Sequence, residues 1–213
     1  MRKLLLVSAV LAALPFAAQA ESTLSSAATG AMSASAKLDF IVTIPKVLYL
    51  QVGTGSTGPL ASNATVNDLT FAVPAGSIGS GSVASTGGDL SAGAAVTVRV
   101  FGNTGDVSLT NATTGALSNG VAGDPTIPWT SFTVTPASLA TATPGYSTTS
   151  IPHPTIVSGA SSTAITLNAT SKVVRREGSW TFAYNNATVM PPGTYGGTAA
   201  GRNGIVTYTA TAP

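Results

Sequence analysis

His153 is the sole histidine of the chain and sits between two prolines, in Ile151-Pro152-His153-Pro154. A Ser-His-Asp triad would need it as a base, oriented by a carboxylate and set beside a serine. No G-x-S-x-G elbow presents such a serine. The flanking prolines predict an exposed loop and a solvated imidazole. One histidine also excludes zinc or copper sites that require two. The acids are Glu21, Asp39, Asp68, Asp89, Asp106, Asp124 and Glu177. Glycoside hydrolysis needs two carboxylates facing a cleft, whereas these are scattered, mostly in turns beside Gly or Asn, where Asp serves the backbone. Asp89, Asp106 or Asp124 with loop carbonyls would suit calcium, but no D-x-[DN]-x-[DN]-G spacing supports it. With no cysteine there is no thiolate zinc site, thiol nucleophile or disulfide. The chain is therefore expected to be non-enzymatic, with no cofactor and no metal.

Binding candidates are few. Lys172, Arg175 and Arg176 form a basic cluster beside Glu177, read as the solvated end of a hairpin. Trp129 and Tyr195 flank turn-rich loops, where an exposed ring could stack on a sugar. Trp180, Phe182 and Tyr184 alternate at period two and read as core. Gly53-Thr54-Gly55-Ser56-Thr57-Gly58 formally matches a dinucleotide fingerprint, but Pro59 follows and no helical period opens, so a turn-rich loop is expected. Asn63, Asn111, Asn168 and Asn186 each begin an N-x-[ST] triplet and are read as turn residues.

Met1 to Ala20 has the form of a cleaved secretory signal. Arg2 and Lys3 are followed by the apolar run Leu4 to Phe16, and Ala18-Gln19-Ala20 supplies the cleavage site. The run is too short to anchor the chain in a membrane. The expected location is thus outside the cytoplasm: periplasm, cell surface or medium. Arg2 and Lys3 leave with the leader, so the nine basic residues become seven, against seven acidic ones. A balanced surface offers no basic patch for nucleic acid or anionic membrane. Only 8% of residues are charged. With abundant Thr, Ser and Gly beside β-branched residues, that composition suits β-structure rather than disorder.

The elements that would position any site are strands. Lys37 to Val52, KLDFIVTIPKVLYLQV, places Leu38, Phe40, Val42 and Ile44 on one face and is expected to form two linked strands, broken at Pro45, that make one wall of the core. Further strands are expected at Asp68–Val73, Ser82–Ser85, Ala94–Phe101, Val107–Thr110, Trp129–Thr135, Ile156–Val157, Ile165–Ala169, Ser179–Tyr184 and Gly204–Thr211. Gly102-Asn103-Thr104-Gly105 reads as a hairpin turn, and Glu177-Gly178 as another turn. No stretch of ten residues beyond the leader keeps a helical period. The reading is all-β: one Ig-like, Greek-key β-sandwich of eight to ten short strands. The organisation is a signal peptide at 1–20, a flexible N-terminal arm at 21–36 and the sandwich at 37–213.

The closing PGTYGG…GIVTYTAT, with an export signal and no catalytic set, resembles bacterial fimbrial-type (pilin-like) secreted surface proteins. In these a P-G-x-Y-x-G turn leads into an alternating C-terminal strand. The likeness covers Trp180 to Ala210 best. It implies a structural or cell-surface subunit that assembles by β-strand pairing. Its implied partners are other copies of itself or related subunits and a periplasmic chaperone. Leu24 to Met32 would be the added strand, with Val206, Tyr208 and Ala210 on the acceptor edge. Pilins of the chaperone–usher type carry a disulfide and a penultimate tyrosine, whereas this chain has no cysteine and Ala212 in that place. The alternative is a monomeric glycan-binding module using Trp129 or Tyr195.

Overall fold

Period-two alternation becomes buried strand where both neighbours are available, and Val96–Gly102 shows this most completely. In a computed structural model, describing residues 22–55, 60–90, 93, 95–141 and 143–213, every second residue of this strand is buried. The first 21 residues, and with them the expected leader, lie outside the described residues. The compact unit that carries the strands runs from Pro45 to Pro213.

Ten strands occur among the described residues, and the only helical pieces are the 3-10 turns Ala75–Ser77 and Trp129–Ser131. The strands are β1 Leu48–Val52, β2 Leu69–Thr70, β3 Gly81–Ala84, β4 Gly87–Gly88, β5 Val96–Gly102, β6 Val107–Ala112, β7 Phe132–Ser138, β8 Ile165–Leu167, β9 Val174–Asn186 and β10 Thr207–Thr211. The five-stranded sheet runs β1-β5-β9-β3, with β7 on the other side of β9, and the three-stranded sheet runs β10-β6-β8. All ladders are antiparallel. The protein is therefore all-β, and the two larger sheets share one apolar core in a sandwich-like arrangement. Val98 and Val100 of β5, Val174 and Trp180 of β9, Val107 and Leu109 of β6, and Leu167 of β8 all meet there, with Ile151. A second cluster gathers Leu117, Ile127, Trp129, Ile156 and Tyr184.

Four sequence readings need correction. First, the Gly102–Gly105 turn does not make a hairpin. β5 pairs with β1 and β9, while β6 pairs with β10 and β8. Both strands bury alternate side chains in the same core. They therefore face each other across it, and the turn carries the chain from one sheet to the other. Second, Glu177-Gly178 is not a turn, because β9 runs straight through it for 13 residues. A Cβ at Gly178 would lie 3.1 Å from Ala137 O and 3.2 Å from Ile151 N, so glycine lets two other segments approach the strand closely. Third, Ile156–Val157 forms no strand, although Ile156 is buried in the second cluster.

The fourth correction concerns Lys37–Ile44. This segment forms no strand and has no backbone partner among the described residues. Leu38, Phe40, Val42 and Ile44, expected to line the core, are 75–81% exposed, and Ile41 is 86% exposed. Extended backbone gains hydrogen bonds only from a neighbour, and Pro45 cannot continue the ladder into β1. Only the second half of the expected pair, β1, is built into a sheet.

Candidate functional site

The side chains weighed for chemistry or sugar stacking are mostly packed into the fold. His153 is not a solvated loop residue. Its Nε2 lies 2.7 Å from the Tyr208 hydroxyl of β10. Its ring meets Trp180 edge-on at 4.5 Å and also contacts Phe182 and Tyr208. Pro152 is exposed, but Pro154 holds the loop against the core: it and Ile151 are fully buried. Burial pushes the imidazole down to about 4, offset in part by a hydrogen bond with the Pro154 backbone, and burial raises the Tyr208 phenol. The pair is a packed polar contact, and among the described residues no acid is hydrogen-bonded to it.

A pH effect follows. The unfolded chain protonates His153 near its ordinary value of 6.5, before the folded chain does. Protonation thus favours unfolding, and stability falls as pH drops from about 6.5 towards 4. Between pH about 7.5 and about 5, unfolding free energy should decline by roughly 2 kcal/mol. Urea titrations of the wild type and His153→Phe test this, with the variant expected to stay level. An NMR midpoint for the single imidazole near its ordinary value would defeat the prediction.

Trp129, offered for sugar stacking, is 7% exposed, and its Nε1 donates to Gly115 O at 2.8 Å. Its ring packs on Phe132 at 5.4 Å, which leaves no open face. Tyr195 is half-buried against the same cluster and donates its hydroxyl to Pro191 O. Neither is a free aromatic platform. Asn111 and Asn186, read as turn residues, are buried in β6 and β9. Asn63 does form a local turn, accepting from Thr65 N–H. Lys172 sits, with Ser171, in a tight reversal closed by reciprocal Thr170–Val173 backbone bonds, as the hairpin reading expected, and Arg175 and Arg176 follow it at the start of β9. Among the described residues no three His, Cys, Asp or Glu side chains gather as a metal set. No helix among them is long and apolar enough to cross a membrane.

Among the described residues Glu177 is the one strongly buried charge. Arg99 Nε donates to its Oε1 at 2.6 Å, and Thr143 supplies a backbone N–H and a hydroxyl. Burial raises its pKa, but the Thr143 N–H and Arg99 outweigh this and hold the carboxyl below the usual range. Arg99 also reaches Gln51 and the Thr143 hydroxyl. This network ties a loop to the face of the five-stranded sheet.

The remaining candidates concern pairing. Leu24 and Met32 are 93% and 51% exposed and lie in no strand. Tyr208 and Ala210 point into the main core, and Val206 into the second cluster. β10 is the edge of its sheet, with one neighbour, β6. The segment that sequence reading misplaced is Leu38–Ile44, which is exposed and lines no core. Its alternation was visible, but the same signal serves a strand completed by its own chain and one completed elsewhere. No family model, no curated protein and no solved structure matches this chain.

Proposed function

We propose that this is an exported, non-enzymatic structural subunit of fimbrial type. Its body would be an Ig-like Greek-key sandwich, and copies would join by adding a strand to an open sheet edge. The observation that carries this reading is the alternating segment Leu38–Ile44, whose five large apolar side chains are 75–86% exposed. Seldom is so much apolar surface left open without a partner. This segment replaces Leu24–Met32 as the donor.

The magnitudes are nearly balanced. Burying the four that share one face, Leu38, Phe40, Val42 and Ile44, is worth roughly 6–12 kcal/mol. Ordering seven residues costs roughly 7–14 kcal/mol. Ladder hydrogen bonds, at about 0.5–1.5 kcal/mol each, then decide the sign. Assembly should accordingly be sensitive to any single large side chain in the segment.

Negative-stain electron microscopy of protein purified from the exported fraction tests the reading. Ordered fibres are expected. They should vanish when Lys37–Ile44 is deleted and persist when 21–36 is deleted. Dispersed particles from the intact chain would sink the proposal.

A further inference from the structure

We propose that His153 is a proton-operated latch on the C-terminal strand: when its imidazole takes up a proton, β10 leaves the core while the other strands stay paired. The latch operates within one chain, whether or not copies assemble.

β10 is lightly held. It has one hydrogen-bonded neighbour, β6, and none of its five residues is fully buried. Thr207, Thr209 and Thr211 face solvent, which leaves Tyr208 and Ala210 to pack on the main core. An alanine buries little surface, so Tyr208 is the one large anchor of the strand there. Its hydroxyl lies 2.7 Å from His153 Nε2, and its ring packs against both the imidazole and Trp180.

The imidazole has no counter-charge. β9 sets Trp180 and Phe182 against it, and β10 sets Tyr208. The β6 residue opposite Tyr208 is Asn111, and the flanking residues of its own loop are Ile151, Pro152 and Pro154. None of these carries a charge, and among the described residues no charged group acts on the ring. Burial also raises the Tyr208 phenol, so it does not ionise to compensate. A cation held here keeps neither its water nor a carboxylate, and it gains free energy by reaching solvent.

The two sides that could open are unequally fixed. The loop is pinned on both sides of His153. Trp180 Nε1 donates to Ile151 O at 2.7 Å, and Asn111 Nδ2 to Pro154 O at 2.6 Å. Further along, Thr113 Oγ1 donates to Val157 O, and Ser162 exchanges two bonds with the Asn111 backbone. Freeing the loop breaks buried hydrogen bonds to both β6 and β9. Freeing β10 breaks one edge ladder and lifts one large side chain, and such edges are the parts of a fold that open first. β10 is therefore the part that gives, and water reaches the imidazole where Tyr208 stood.

Amide exchange on the full chain, corrected for its intrinsic pH dependence, tests the latch. With the imidazole at about 4 when packed and at its ordinary 6.5 when hydrated, the open population of β10 should rise roughly 30-fold between pH about 7.5 and about 5. Protection of the bonded amides in β10 should fall by that factor, while those of β5 and β9 hold. In His153→Gln, whose folding circular dichroism verifies at pH 7, the β10 amides should keep their protection across the same range. The wild type also carries the test alone: the fall should approach about tenfold per pH unit below pH about 6, the slope of one proton, where histidine is the side chain that ordinarily titrates. Loss of protection at the loop amides Gly159 and Ser162, with β10 unchanged, would make the loop the moving part and overturn the inference. Equal loss over β5, β9 and β10 would mean that the whole fold opens at once; that overturns the latch and leaves the predicted fall in stability standing. Unchanged β10 protection, or an equal fall in His153→Gln, overturns it too.

Discussion

Replacing Glu177 with alanine should cost roughly 3 kcal/mol of stability, because the carboxylate is a buried junction. Its side chain is 2% exposed, against 20% for Arg99. Its removal leaves the Thr143 N–H and hydroxyl short of an acceptor and strands the guanidinium in a partly dry setting. Arg99 retains Gln51 and some solvent, which keeps the loss below the upper range for buried pairs. A double-mutant cycle with Arg99→Ala, read by urea unfolding, should return a coupling of about 1–3 kcal/mol. The loop should loosen as well, since Ser147 bonds β9 through Arg175 O and Glu177 N–H. Amide exchange at Glu177 would report it. A cost near zero would mean that the network is solvated and holds nothing. Acid loss of this contribution belongs below the ordinary glutamate value of 4.5, which separates it from the His153 window.

Trp180→Ala should be the costlier change, at about 4–5 kcal/mol, from a cavity plus an orphaned carbonyl. Trp180 is fully buried, donates Nε1 to Ile151 O at 2.7 Å, and packs on His153 and Tyr208. The same indole is a wall of the His153 pocket. The variant should therefore also move the imidazole midpoint up towards its ordinary value, which NMR can follow on the single histidine. Trp180→Phe fills most of the space and should cost about 2 kcal/mol, chiefly from the lost hydrogen bond and residual cavity. Destabilisation without any movement of the His153 midpoint would show that the loop, rather than the indole, dries the imidazole.

Several elements were legible residue by residue. Val96, Val98 and Val100 alternate, as do Val107 and Leu109, and all are buried as their period requires. Trp180, Phe182 and Tyr184 share a face, and β9 uses it to feed both clusters. Ser82–Ser85 and Gly204–Thr211 mark strands within a few residues of β3 and β10. The failures have a common cause. Asn103 carries a turn signal whether the next strand pairs with the last or crosses to another sheet. Glu177 looks like a turn residue until Arg99 and Thr143, distant in sequence, neutralise and satisfy it. His153 looks solvated until Tyr208 and Trp180 close over it.

By itself the sequence determined the all-β class, most strand positions and the face each strand buries, because alternation is a local property of extended backbone. Only the tertiary structure decided which strands are neighbours, which charge is buried and which apolar segment is left exposed. Those are questions of partnership between residues far apart in the chain, and period two carries no information about the partner. Leu38–Ile44 marks the boundary between the two: its alternation calls for a sheet edge, and the fold assigns it no partner among the described residues.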